Sequence, residues 1–485
     1  MGVLASTLIR SLLYAVALLV NAVASVVLVR RLGVQDYALY QTVMKRVTQY
    51  AARLPGLYGL WLYRYTVQGV RGAAATGLVL SVASGLLAAA VGYSAAAQLG
   101  ASPGTAVVAA LASAAMVLWA GLRLIVDAAR PLRVAVLVLV HRLLYSALVI
   151  LLVYFMGLGV GGAFAAPLAS YMVVLVLGLL WLKDRGVLLW PGLRRVAEIA
   201  LEWMRRAYVT AISNAAAFIQ ALDVVVVYAL SNAGVVAAFF AITNILMLVT
   251  EAAGSSFTYL HGFVLSTRDY GSAANAVRIT ALLASPLLAY AAVYPLYLVY
   301  LLNPVYSWAV SAAPLAAAAS LIFMVDVGLL NLLAGLVGDG DGSGRKLARL
   351  YSTMLASSVI YLVLLALGLT ASDSQQGDVT AWAAAFLARS IALLLLLSVY
   401  TPPSISSALF RPLVWSLLGY PVLAVLAALV FPPRGAPSPR FWETFWAVAP
   451  PAAGAVLLYA ALVLLVDGWA RGLAWAALER LRGRL

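Results

Sequence analysis

Residues 36–60 read DYALYQTVMKRVTQYAARLPGLYGL, an apolar segment long enough to cross a bilayer that nevertheless carries a row of polar groups. Gln41, Lys45, Gln49 and Arg53 recur at every fourth position, so on an α-helix they form one stripe, with Arg46 beside it. Lys45 falls roughly 14 Å along that helix, near the middle of the hydrocarbon. A cation at that depth costs about 2.5–3.5 kcal/mol against lipid, so the stripe is expected to face protein or a watery cavity.

The surrounding chain supports a membrane setting. Its 485 residues are 65% hydrophobic and 10% charged, with a mean hydropathy of +1.03. This composition is that of an all-α polytopic membrane protein. Apolar stretches of about 18 residues or more predict about fourteen spans. They lie near 5–29, 36–60, 73–97, 105–127, 132–156, 163–183, 207–230, 234–260, 277–302, 308–337, 349–370, 380–400, 412–431 and 444–466. The first is too long for a signal-peptide core and is kept as a span. With both termini cytoplasmic, the inner loops and tail hold twenty-one Lys and Arg, Arg64 and Arg278 among them, and the outer loops only Arg30, Arg31, Arg434 and Arg440. That asymmetry follows the positive-inside rule and places the protein in the cell membrane as a multi-pass chain.

The net charge of +15 comes from 31 basic against 16 acidic residues scattered between apolar segments, which argues against nucleic acid as a partner. The absence of cysteine excludes disulfides and thiol catalysis, and with His141 and His261 as the only histidines a His-based metal site is not expected. No P-loop, HExxH or GxSxG motif occurs, so neither ATP hydrolysis nor acyl transfer is indicated. Asp339 and Asp341 begin like a calcium loop, but Leu350 stands where a bidentate Glu is required.

Polar interruptions divide the chain. Residues 1–183 are read as a first lobe of six helices, 184–206 as a basic cytoplasmic linker with an amphipathic helix, 207–400 as a second six-helix lobe, and 401–485 as a final pair with a basic tail. A weak internal repeat agrees with two lobes. Sliding one half over the other by 196 residues sets Ala38 on Gly234 and Tyr40 on Val236, with a short outer turn in each half.

The run Val29–Tyr40, VRRLGVQDYALY, resembles the A-R-x-L-G-x-x-x-Y-G-x-Y signature after the first helix of Wzx-type polysaccharide and lipid-linked oligosaccharide flippases. These belong to the multidrug/oligosaccharidyl-lipid/polysaccharide (MOP) exporter superfamily. Asp223, ahead of an apolar run and a short turn, resembles the family's seventh helix; Ala38 and Val236 depart from the usual glycine and tyrosine. The resemblance implies two six-helix lobes forming a V around a cavity that opens alternately to each side. It also implies a polyprenyl- or dolichyl-linked phosphate or diphosphate sugar as substrate, and a transporter rather than an enzyme.

Charges within the predicted spans separate by sign. Arg10, Lys45, Arg46, Arg53 and Arg142 lie in the first lobe and are the candidates for binding the substrate phosphate. Gln41, Gln49, Tyr14 and Asn21 are candidate polar contacts. Asp223, Glu251 and Asp326 lie in the second lobe and are candidates for coupling to H⁺ or Na⁺; no other cofactor is expected. Asp326 and Arg389 could alternatively form a buried pair. Spacing alone points to an anion, and the family resemblance supplies the lipid-linked sugar. The competing readings are a cation-coupled multidrug exporter of the same superfamily and a membrane-embedded glycosyltransferase using Asp339 and Asp341. The expected partners are the lipid-linked substrate and membrane lipids, with a monomeric chain that could associate with glycan-assembly enzymes.

Overall fold

The computed structural model describes residues 3–183, 190–337 and 343–482. Asp339 and Asp341 lie outside these, as do residues 184–189 of the linker. The described residues form helices joined by short turns, without strands. Eleven of the helices are long and apolar enough to cross a membrane.

The first six helices are α1 (Val3–Arg31), α2 (34–67), α3 (Ala73–Gln98), α4 (Pro103–Ala129), α5 (131–155) and α6 (Gly159–Lys183). They pack on one another as a first bundle, through α1 on α5, α2 on α3 and α4, and α4 on α6. A short helix α7 (Leu193–Arg206) buries Val196, Ile199 and Trp203 against this bundle and turns its arginines outward. Its pattern is that of an amphipathic surface helix.

The second bundle contains α8 (Tyr208–Leu230), α9 (Ala233–Thr267), α10 (Tyr270–Val293), α11 (Pro295–Leu302), α12 (Ala312–Leu336), α13 (Ser343–Thr370) and α14 (Gln375–Tyr400). The final helices are α15 (403–430), α16 (Phe441–Val466) and α17 (Gly468–Arg482). They join the second bundle through α15 and α10.

Helix ends follow local chemistry. Ser102 caps α4 by accepting from the Thr105 amide, and Pro103 fills the first helical position. Asn232, Asp269 and Ser374 cap α9, α10 and α14 in the same manner. The ninth predicted span, 277–302, is corrected. Its helix starts earlier, at Tyr270, and stops at Val293, because Pro295 has no amide proton to continue it and restarts a separate short helix. Likewise the tenth helix begins at Ala312 rather than 308, after a 3₁₀ turn over Pro304–Ala309.

The two hairpins that the repeat compares are both present, but the helix bounds set them at a different offset. The paired hairpins end their first helices at Arg31 and Leu230 and start their second at Val34 and Ala233. They therefore align at an offset of 199 residues (233 less 34), not 196. Gly33 and Asn232 are equivalent, both extended and both opening the second helix.

The bundles meet through these hairpins, α1 and α2 against α8 and α9. At the turn end, the Arg30 guanidinium donates to the carbonyls of Tyr300, Leu301 and Pro439, and Asn303 donates to Val29 O at 2.9 Å. At the opposite end, beside α7, Thr210 Oγ1 donates to Leu57 O at 2.6 Å, and Arg64 lies 3.3 Å from His261 Nε2. Arg64, counted above as a loop base, is instead buried on α2.

Candidate functional site

The polar stripe coincides with a break in helical regularity. Within α2 the segment Thr42–Val47 is π-helical, between the α-helical Val34–Gln41 and Thr48–Val67. Such insertions widen a helix by one residue per turn and recur at functional positions. Arg46 sits in this segment and crosses to the second bundle. Its Nε donates to Asp223 Oδ1 at 2.9 Å and its Nη2 to Oδ2 at 2.8 Å, a fork-to-fork pair. The guanidinium also lies 4.9 Å above the Phe240 ring of α9.

Asp223 is placed by a kink in α8, whose two helical segments, Tyr208–Ala221 and Asp223–Leu230, meet at Leu222. In the first turn of the second segment its carboxylate accepts from the Val224 amide at 2.7 Å. Tyr361 of α13 donates to Oδ2 at 2.9 Å, and Trp382 Nε1 of α14 donates to the Tyr361 hydroxyl at 2.7 Å. Trp382 stacks on Phe239 with centroids 3.9 Å apart. Asp223 is thus built into the second bundle, and the sequence reading did not assign it to Arg46. Tyr361, Trp382 and Phe239 were also missed, because each reads as an ordinary aromatic in an apolar helix.

Other predicted residues are distributed around this pair. Gln41 is buried, and neither of its amide atoms has a hydrogen-bond partner among the described residues. Arg142 of α5 donates to Asn21 Oδ1 of α1 at 3.0 Å, bringing a predicted cation and a predicted polar contact together. The same helix carries His141, stacked 4.2 Å from Tyr171, and Tyr145, whose hydroxyl is 2.9 Å from that of Tyr40. The side chains of Arg10, Tyr14, Lys45, Gln49, Arg53 and Glu251 lie outside the described residues.

No protein-family model matches the sequence, and no curated protein matches it either. Solved structures do. A MATE protein in complex with MaD3S superposes with a TM-score of 0.61 over 83% of this chain and 96% of that one, at 16% identity. An outward-facing multidrug resistance MATE family transporter of the MOP superfamily gives 0.58 over 84% and 96%, at 15% identity. A MOP superfamily transporter from Pyrococcus furiosus, described as having a binding pocket of reversed polarity, gives 0.55 over 85% and 95%, at 16% identity. The fold is that of the MOP-superfamily transporters. The second and third of these neighbours are described as transporters.

Two further charge clusters are embedded in this MOP fold. Asp326 of α12 and Arg389 of α14 are both buried, yet no ion pair within 4.0 Å joins them. Both Asp326 oxygens, and Nε and Nη1 of Arg389, lack hydrogen-bond partners among the described residues. Arg389 rests 4.7 Å from the Phe323 ring centre instead. The simple buried pair considered from the sequence is therefore not formed.

Arg278, counted above as a loop base, is corrected to a buried residue inside α10. It pairs with Asp467 at 2.5 Å, donates to the Tyr420 hydroxyl at 2.8 Å, and is enclosed by the Trp415, Tyr420 and Trp469 rings. This cluster ties the final helices to α10.

Proposed function

We propose that the chain is a flippase that carries a lipid-linked oligosaccharide, joined through phosphate or diphosphate to a polyprenyl or dolichyl lipid, across the cell membrane. The transport cycle is alternating access between two six-helix lobes, with the final pair riding on the second. Fourteen spans follow when the long helices 3–31, 34–67 and 233–267 join the eleven. Cytoplasmic termini then put α7 and its arginines on the inner face, in agreement with the distribution of basic residues.

The observation that carries this reading is Arg46. Its side chain is 22% exposed at mid-span on the bundle interface, whereas that of its partner Asp223 is 1% exposed. A guanidinium on a part-exposed side chain there is suited to a phosphate, which it binds bidentately, and opposes an organic cation. Lys45, Arg53, Arg10 and Arg142 would add positive charge around it. Asp326, with neither carboxylate oxygen partnered among the described residues, is the best candidate for linking the cycle to H⁺ or Na⁺.

A second reading, a multidrug exporter, draws support from solved neighbours described as multidrug resistance transporters. For the Pyrococcus furiosus neighbour, a reversed polarity of the binding pocket is said to suggest a different function. Reconstitution in liposomes with a fluorescent lipid-linked sugar and an outer-leaflet accessibility readout separates the two. The wild type should flip the sugar lipid and a folded Lys45→Ala, Arg46→Ala, Arg53→Ala variant should not. Unchanged flipping by that variant, or export of an organic cation by the wild type, would sink the assignment.

A further inference from the structure

We infer that Asp223 is an internal occupant of the substrate's anion site. It competes with incoming phosphate for Arg46 and so admits only ligands carrying more than one negative charge. The inference rests on the proposed anion site at Arg46 and goes beyond it by naming what excludes the wrong anions.

The geometry has three parts. First, the carboxylate takes both arms of the Arg46 fork, at 2.9 and 2.8 Å, the arms a phosphate would use. A ligand must therefore replace Asp223 rather than add to it. Second, the two residues differ in access: Arg46 presents part of its side chain while Asp223 is sealed beneath it. An arriving anion meets the arginine and not the carboxylate.

Third, Asp223 keeps partners of its own when Arg46 leaves. The Val224 amide and the Tyr361 hydroxyl still donate to it, and Tyr361 is held by Trp382. The displaced carboxylate is thus stabilised as an anion in the second bundle, so the exchange leaves no bare buried charge. Arg46 belongs to the other bundle and to a π-helical segment, a register that can relax. Anion binding consequently exchanges an inter-bundle tie for a bond to the ligand.

Selectivity follows from the competition. A phosphodiester phospholipid carries a single charge, like the carboxylate it would have to displace, and gains nothing by the exchange. A lipid diphosphate offers more charge to the same fork and wins. The membrane is filled with monoanionic phospholipids, so such a competitor keeps a part-exposed intramembrane arginine from being occupied by bulk lipid, a case of specificity by opposition.

The test uses the full chain in zwitterionic nanodiscs, with farnesyl diphosphate as the probe and phosphatidylglycerol as the competitor. In the wild type the diphosphate binds and phosphatidylglycerol does not displace it. In Asp223→Asn the diphosphate should bind about tenfold tighter, the effect of removing one charge-assisted competitor, and phosphatidylglycerol should now compete. Unchanged or weaker diphosphate binding in that variant, or equal competition by phosphatidylglycerol in both proteins, overturns the inference.

Arg46→Gln separates the two levels of the argument. If it binds the diphosphate like the wild type, the anion site itself is wrong; if it loses binding while Asp223→Asn matches the wild type, only the competition fails. A second measurement needs no change at Asp223. The chain has no cysteine, so Gln98→Cys and Asp373→Cys, both at exposed positions of opposite bundles, accept spin labels cleanly. Farnesyl diphosphate should shift the inter-bundle distance distribution and phosphatidylglycerol should leave it unchanged. The absence of a shift with the diphosphate, or the same shift with both, counts against the proposal.

Discussion

A guanidinium sealed inside a membrane protein needs both a counter-charge and partners for its remaining N–H groups, and Arg278 has them. Asp467 supplies the charge, Tyr420 a hydrogen bond to each member of the pair, and three aromatic rings enclose the plane. Removing one partner strands the other, so Asp467→Asn should cost about 3–5 kcal/mol. Thermal unfolding in detergent reads this as a lowered midpoint. The double variant Arg278→Met, Asp467→Leu should recover most of the loss, because no uncompensated charge is left. At this scale the sequence announced the anomaly but not its resolution. Arg46 stood out through its position in an apolar segment, whereas Asp223 is 177 residues away and was visible only as a separate acid. Arg278 was mistaken for a loop base because it lies near the edge of a hydrophobic stretch, and only the packed position of Asp467 draws it inside.

At the scale of elements, length and apolarity located the helices well, and proline and capping residues corrected their ends. What composition could not give was how closely two helices approach. On α12, a Cβ added to Gly335 would stand 2.7 Å from the His261 carbonyl of α9, and one on Gly328 would meet Val277 of α10 at 2.6 Å. These glycines let three helix backbones close on one another, the use small residues have in membranes. Because its obstacle is backbone, Gly335→Ala should destabilise by about 1–3 kcal/mol despite the better helix propensity of alanine, measurable as an earlier thermal transition.

The surface helix α7 follows different rules. Hydrogen bonds from Arg195 and then Arg194 hold the Glu198 carboxyl below its ordinary range. A lowered folded value means that this contribution is present above the unfolded carboxylate range and is lost as pH falls through the folded value. The protection of the α7 amides, taken as observed exchange relative to the intrinsic rate at each pH, should therefore fall on acidification in the wild type, and Glu198→Gln should remove that fall.

On the scale of the whole molecule, α2 carries the side-chain ties that join the bundles at three levels. It meets α8 through Arg46 and Asp223 near mid-span, through Tyr50, whose hydroxyl donates to Ala221 O at 2.7 Å, and through Leu57, whose carbonyl accepts from Thr210. Between these last two contacts Gly56 faces Asn214 so closely that a Cβ would overlap its side-chain amide. A bulky residue there cannot be absorbed within one bundle, since the obstacle belongs to the other. Gly56→Leu should therefore part the bundles at the end that carries α7, by about 1–2 Å at the contact, the range over which side-chain size sets helix separation. Spin labels at Arg71→Cys and Lys346→Cys, exposed on either side of that end, should report longer distances in this variant. The pair Gln98→Cys and Asp373→Cys should change less, because the Arg30 and Asn303 contacts at the turn end do not involve Gly56. Equal displacement at both ends would mean that the bundles separate bodily instead of rocking about the Arg46–Asp223 level. The alternating-access reading would then lose its pivot.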